Sequence, residues 1–180
     1  MYEREIEALK KLYLFDEVPA SALAELCMLA PPVCHKRGDV VFHEGDPADA
    51  ALLVVEGLLQ AQIQTEEGMH TVGEVHVGEV VGEQALFSFG GRRNATVIAV
   101  EDVSALLITP EAIRVGARNP AIIALERHLI GTLTRRIRKI NRAIQKVWHD
   151  YPTGERPEIG PSPVRSRLAR LFAGFVRRSS

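Results

Sequence analysis

The sequence is poor in cysteine, has no long apolar run and carries almost no net charge, and each shortage removes a class of function. Cys27 and Cys34 are its two cysteines. They cannot supply the four thiolates of an iron–sulfur cluster, and their spacing matches neither a zinc nor a redox motif. A reduced, cytoplasmic setting is the simplest expectation. No stretch approaches the ~20 apolar residues that cross a bilayer, and Met1-Tyr2-Glu3-Arg4-Glu5 is too charged to open a signal peptide. A formal net charge of −1 gives no global pull toward nucleic acid or membrane, so any such attraction is local. No nucleophile–base pair and no metal cluster is recognisable, so an enzyme is not expected. His35, His43, His70 and His76 read as solvated strand histidines, with His70 and His76 on one strand face.

What is present divides by texture. Residues 3–14 carry Ile6, Leu9, Leu12 and Leu14 among charges, and Pro19 precedes Leu23, Leu26 and Met28, so two short helices open the chain. From Pro31 to about Ile108, apolar and β-branched runs are cut repeatedly by glycine, the pattern of many short strands in a barrel or sandwich. Leu59, Ala61 and Ile63 alternate with Gln60, Gln62 and Gln64, which gives one dry and one wet face.

Helical spacing returns at Pro110, and Pro120 opens a helix expected to run to about Trp148. Ile122, Leu125, Leu129, Leu133, Ile137, Ile140, Ile144 and Val147 fall at steps of three or four, a stripe that needs a long cover. A second copy of the same helix is the expected cover, with the first turns free to pack on the barrel. The basic residues Arg135, Arg136, Arg138, Lys139, Arg142 and Lys146 read as solvated flanks of that seam. Residues 149–163 hold four prolines and two glycines and read as a linker. Residues 164–178 form a basic amphipathic pattern, with Leu168, Leu171, Phe172 and Phe175 on one face, suited to a protein groove or an anionic membrane.

The segment from Gly82 to Val97 carries the chemistry. A glycine turn leads into a short helical turn near Glu83, then Gly90-Gly91, then Arg92 and Arg93 at the mouth of a strand. Amides at a helix start favour an anion, an arginine adds a planar grip for phosphate, and a carboxylate there accepts from hydroxyls. Together they suggest a sugar phosphate.

The segment resembles the phosphate-binding cassette of the cyclic-nucleotide-binding domain family, at Gly82, Glu83, Ala85, Leu86, Arg93, Ala95, Thr96 and Val97. Lys36–Pro47, Val55-Glu56-Gly57 and Gly78–Glu83 resemble the family's barrel turns, and Leu133–Arg138 resembles the long helix of its catabolite-activator branch. The resemblance implies a mainly β fold, a β-roll or jelly-roll barrel with N-terminal helices and a long C-terminal dimerisation helix. It implies a domain over 1–148, with the long helix at 120–148. By the same resemblance Glu83 would bind the ribose 2′-hydroxyl and Arg93 the cyclic phosphate, with the backbone amides near Ala85 and Leu86. Gly82, Gln84, Arg92, Asn94, Ala95 and Thr96 complete the expected ligand-binding set, and Arg127 and Thr132 would reach the base from the long helix. The expected dimer residues are Leu125, Leu129, Leu133, Ile137, Ile140 and Ile144. The chain departs from the pattern at Val81, Arg92 and Asn94, and none of the three removes a binding group.

The implied function is that of a bacterial sensor of cAMP or cGMP, needing no other cofactor, that signals as a homodimer through the long helix and the tail. A ligand-free scaffold acting through its tail and a cyclic-dinucleotide receptor are the alternatives. Residues 149–180 are too few and too proline-rich for a helix-turn-helix reader, so no specific DNA binding is expected from this chain.

Overall fold

The glycine-punctuated stretch folds as eight strands among the described residues. The computed structural model describes residues 2–87 and 90–150, with 146–150 as backbone alone. The strands are β1 (Pro32–His35), β2 (Val40–Phe42), β3 (Ala51–Glu56), β4 (Leu59–Thr65), β5 (Gly68–Val75), β6 (Val80–Val81), β7 (Thr96–Ala99) and β8 (Val103–Ile108). They pair antiparallel in two four-stranded sheets, in the orders β1-β8-β3-β6 and β2-β7-β4-β5. The expected β-roll architecture is what forms. β5 ends at Val75, so His76 lies beyond the strand rather than sharing a face with His70.

Strand β3 explains why its sequence is apolar without alternation. Leu52 and Val54 enter a core between the sheets with Leu59, Val75, Val97, Ala99, Val103 and Ala105. Ala51, Leu53 and Val55 face a second core built with helices. A strand dry on both faces loses the period-2 signal that β4 keeps through its glutamines.

The second core draws on α1 (Glu3–Leu9), a 3₁₀ turn at Tyr13–Phe15, α2 (Ala20–Leu29) and the start of α5 (Pro120–Asp150). The first helix stops short of the expected Leu14 because Leu12 is extended before the turn. Helix α4 (Pro110–Val115) is capped by the Thr109 hydroxyl, which accepts from the Ala112 amide at 3.1 Å. The chain forms two compact units, residues 1–133 and those from Thr134 onward; among the described residues the second contains the remainder of α5. Helix α5 runs to Asp150, two residues into the expected linker 149–163, and the rest of that linker and the tail helix 164–178 lie outside the described residues.

The origin of α5 is fixed by one buried side chain. Asn119 Oδ1 accepts from the Ala121 amide at 2.7 Å and the Ile122 amide at 3.4 Å, capping the helix ahead of Pro120. Its Nδ2 donates to the Ala22 carbonyl at 3.1 Å and to Glu25 Oε2 at 2.7 Å, both on α2.

The stripe on α5 divides at this point. Ile122, Leu125 and Leu129 belong to the chain's own helix-side core, so Leu125 and Leu129 are not seam residues here. Their cover is α2 and sheet residues brought from far along the chain. Leu133 is half-buried, whereas Ile137, Ile140 and Ile144 are exposed.

Cys27 lies in the helix-side core, and burial, with a smaller contribution from the charge of Glu5, pushes its thiol up from 9.0 to about 11. Cys34 is exposed. A maleimide should therefore label Cys34 in the native protein and Cys27 only on unfolding. Between pH 9 and about 11 the unfolded chain ionises Cys27 first, so stability should fall as pH rises through that window. Denaturant midpoints measured across it should flatten in Cys27→Ala.

Candidate functional site

The site is built where two loops are laced together. The loop between β2 and β3 meets the segment before β7 through three backbone bonds: Arg93 N to Asp46 O at 2.8 Å, Gly45 N to Arg93 O at 2.9 Å, and Ala48 N to Gly91 O at 2.9 Å. This lacing fixes the backbone of Arg93 on both its donor and acceptor sides. Its side chain then turns inward and is 5% exposed.

Inside, Arg93 Nη1 donates to the Ala50 carbonyl at 2.6 Å and Nη2 to Asp49 Oδ1 at 3.2 Å. The guanidinium carbon sits 3.6 Å above the centre of the Phe42 ring. Burial pushes the Arg93 pKa below the ordinary guanidinium value, and the carboxylates of Asp49 and Asp46 pull it back. The Asp49 side chain is 86% exposed, so the buried cation has its carboxylate partner at the water's edge.

Gly82 closes this arrangement. Its φ is +75°, and a Cβ built there would stand 2.5 Å from Arg93 Nη1 and 3.1 Å from the Phe42 ring. Only a residue without a side chain permits both the turn out of β6 and the arginine's approach. One helical turn follows, α3 (Gln84–Phe87), packed against α4 and β3.

Several expected binding groups have roles inside the chain. The Ala85 amide donates to the Gly82 carbonyl and the Leu86 amide to the Glu83 carbonyl, both at 3.0 Å, because a helix of one turn closes by such short-range bonds. The two amides assigned to phosphate are thus engaged within the turn. Glu83 is half-buried at its start. Asn94 Nδ2 donates to Gln84 Oε1 at 2.7 Å, joining the two arms of the cassette. Thr96 Oγ1 accepts from the Glu44 amide at 3.1 Å, and Ala95 is half-buried beside it.

Arg92 points away from Arg93: it is exposed and its Nη1 donates to the Gly45 carbonyl at 2.7 Å. On α5, Arg127 is exposed and Thr132 half-buried, and among the described residues no hydrogen bond joins Arg127 to the cassette. The sequence reading missed Phe42, Asp49 and Ala50 as neighbours of Arg93. Nothing local marks them, since their proximity arises from the lacing of two loops more than forty residues apart.

A cavity of about 380 Å³ lies elsewhere, between α1 and the first sheet. Its rim charges already pair within the chain, Lys36 Nζ with Asp102 at 2.7 Å and Arg4 with Glu56 at 3.5 Å. The cassette differs, because there a nearly buried guanidinium lies against a glycine turn that leads into the Glu83 carboxylate.

The β-roll thus holds a buried arginine against a glycine turn. The family model for the cyclic nucleotide-binding domain matches residues 32–115, which include that turn and both laced loops. Over 149 residues the chain is 28% identical to the CRP-like cAMP-activated global transcriptional regulator of Mycobacterium tuberculosis, covering 81% of this chain and 65% of that protein. It is 31% identical over 104 residues to the cAMP-dependent protein kinase regulatory subunit of Dictyostelium discoideum, covering 56% and 31%. Among solved structures, the N-terminal domain of a transcriptional regulator from Streptomyces coelicolor A3(2) superposes with a TM-score of 0.56 at 32% identity, covering 76% of this chain and 96% of that one. The chain belongs to the cyclic nucleotide-binding domain family. It spans 65% of the length of the mycobacterial regulator.

The Gly82 contact separates from turn strain by comparison with Gly90, whose φ is +72° but around which a Cβ would meet nothing within 4 Å. Gly90→Ala should lose about 1 kcal/mol from the left-handed backbone alone. Gly82→Ala should lose more, because the same strain is joined by the clash with Arg93. Chemical denaturation of both variants measures the difference.

Proposed function

We propose that the chain is a regulatory sensor that binds a cyclic nucleoside monophosphate, cAMP or cGMP, at the cassette and transmits its occupancy through α5 to a second copy of itself. The observation that carries this reading is Arg93, a buried cation held in a family-matched phosphate cassette with its carboxylate partner exposed. Two of the relatives named above carry cAMP in their descriptions, which supports a cyclic nucleotide over other sugar phosphates.

In this reading Arg93 holds the exocyclic phosphate oxygens and Glu83 accepts from the ribose 2′-hydroxyl. The phosphate meets Arg93 at the edge where Asp49 now stands. Asn94, exposed and bonded to Gln84 across the cassette, is the residue this reading assigns to sensing the base. Ligand binding favours one packing of the cassette turn, α3, which contacts α4, and α4 runs into the junction at Asn119.

The dimer reading rests on the outer face of α5. Ile130, Ile137 and Ile144 recur every seven residues with Leu133 and Ile140 between them, and the isoleucines are 62%, 59% and 47% exposed. That is the spacing of a two-stranded seam, offset from the face that packs in the chain's own core.

Calorimetric titration with cAMP, cGMP and cyclic dinucleotides tests the site. One cyclic mononucleotide should bind, and Arg93→Ala should cost about 2–5 kcal/mol of that binding, the range for removing one partner of a buried charge pair. Arg92→Ala should cost little, and Glu83→Gln should narrow the preference for ribose over deoxyribose. Equal affinity of wild type and Arg93→Ala for every ligand would remove the reading.

Light scattering tests the seam. The protein should run at about twice its 19.9 kDa. Glutamate at Ile137 and Ile140 should return a folded monomer, whereas a wild-type monomer at tens of micromolar would eliminate the dimer.

A further inference from the structure

Three groups hold the Arg93 guanidinium, and they act in different directions. The Ala50 carbonyl and the Asp49 carboxylate take hydrogen bonds along its edge. Two edge bonds still allow the plane to tilt about the line joining them. The third group, the Phe42 ring 3.6 Å from the guanidinium carbon, covers a face and removes that tilt. An arginine plane stacked on an aromatic face is a favoured arrangement, and more so away from water.

The backbone is adjusted to aim this ring. Strand β2 pairs with β7 at Val40↔Ile98 and Phe42↔Val97, so the register shifts by one residue just before Phe42. A bulge of this kind redirects a side chain relative to its strand. The ring also stands at the wall of Gly82, where a Cβ would lie 3.1 Å from Phe42 Cε2. Ring, guanidinium and glycine turn thus form one packed stack.

We propose that Phe42 is a positioning residue for the ligand phosphate: its ring fixes the plane of the Arg93 guanidinium before ligand arrives. The inference rests on the reading of the cassette as a phosphate site. In this proposal the ring keeps its place over Arg93 when ligand binds, so its direct attraction cancels from the binding equilibrium. What remains is order. An arginine has several rotatable bonds to immobilise, and a side chain already fixed spares the ligand that loss.

The test uses the full-length protein and calorimetric titration with cAMP and cGMP, each variant first checked for an intact melting transition. Phe42→Leu should bind the preferred nucleotide about three- to tenfold more weakly, the ordering loss of one long side chain. Phe42→Tyr, which keeps the ring, should stay close to wild type. In an Arg93→Lys background, Phe42→Leu should cause no further loss, because a lysine has no plane to hold.

Undiminished binding by Phe42→Leu would overturn the inference and leave the cassette reading standing. So would the same fold-loss in both backgrounds, since the ring would then act by packing alone. If Phe42→Leu melts early, Phe42→Met replaces it. The Arg93 Nε–H proton resonance of the free protein gives a second measure: it should be displaced by the ring current in wild type and return toward the ordinary arginine position in the variant. An ordinary position in wild type overturns the inference. Failure of the wild type to bind either nucleotide overturns the cassette reading, and this inference with it.

Discussion

A guanidinium withdrawn from water has to be surrounded by partners, and much of the cassette's local architecture follows from meeting that demand for Arg93. Leaving such a charge without a partner destabilises a fold by about 3–5 kcal/mol. The laced loops bring the Ala50 carbonyl and Asp49 to its edge, the irregular strand β2 brings Phe42 to its face, and Gly82 stays bare to make room. In the proposed reading, a site for an anion follows from the same arrangement. Its cation is already desolvated and held by internal partners, so a phosphate bound there would meet a strong electrostatic partner where solvent competes weakly.

The parts of this structure that were legible in sequence are those decided by neighbours along the chain. The alternation of Leu59 and Ala61 with glutamines gave β4, and Pro110, Pro120 and the flanking turns gave α4 and α5 close to their observed limits. The choice of Arg93 over Arg92 came from the resemblance to the family pattern, and the observed Arg92 faces the opposite way, as consecutive residues in extended backbone do. Where the deciding partner is distant, the pattern was silent. Leu125 and Ile140 belong to one run of three-and-four spacing, yet one lies in the helix-side core and the other stands in solvent. Phe42 and Asp49 carried no local mark of their role, because only the pairing of two loops brings them to Arg93. The amides of Ala85 and Leu86 looked available because the length of α3 could not be read, and a single turn consumes them.

Strand β3 serves as a common wall. Its odd-numbered side chains close the helix-side core and its even-numbered ones close the interior of the roll, with no polar layer between. Close-packed interiors transmit displacement poorly by bending and readily by repacking. A shift at the cassette turn, which contacts both β3 and α4, is therefore felt on the helix side of that wall without any change in sheet pairing. The domain can keep its hydrogen-bonded frame constant while its helices choose between arrangements.

The junction at Asn119 adds a mechanical property. Its capping bonds to the Ala121 and Ile122 amides lie near the axis of α5, while its bonds to Ala22 and Glu25 run sideways to α2. Hydrogen bonds constrain angle as well as length, and the apolar side chains around them lie in a close-packed core. The base of α5 is thus tied to α2 by one asparagine, and its first turns are held by Ile122, Leu125 and Leu129 in the helix-side core. Removing that one side chain would strip the cap from the first amides of α5 and its polar tie to α2 together, so the start of the helix and its anchorage rest on a single asparagine.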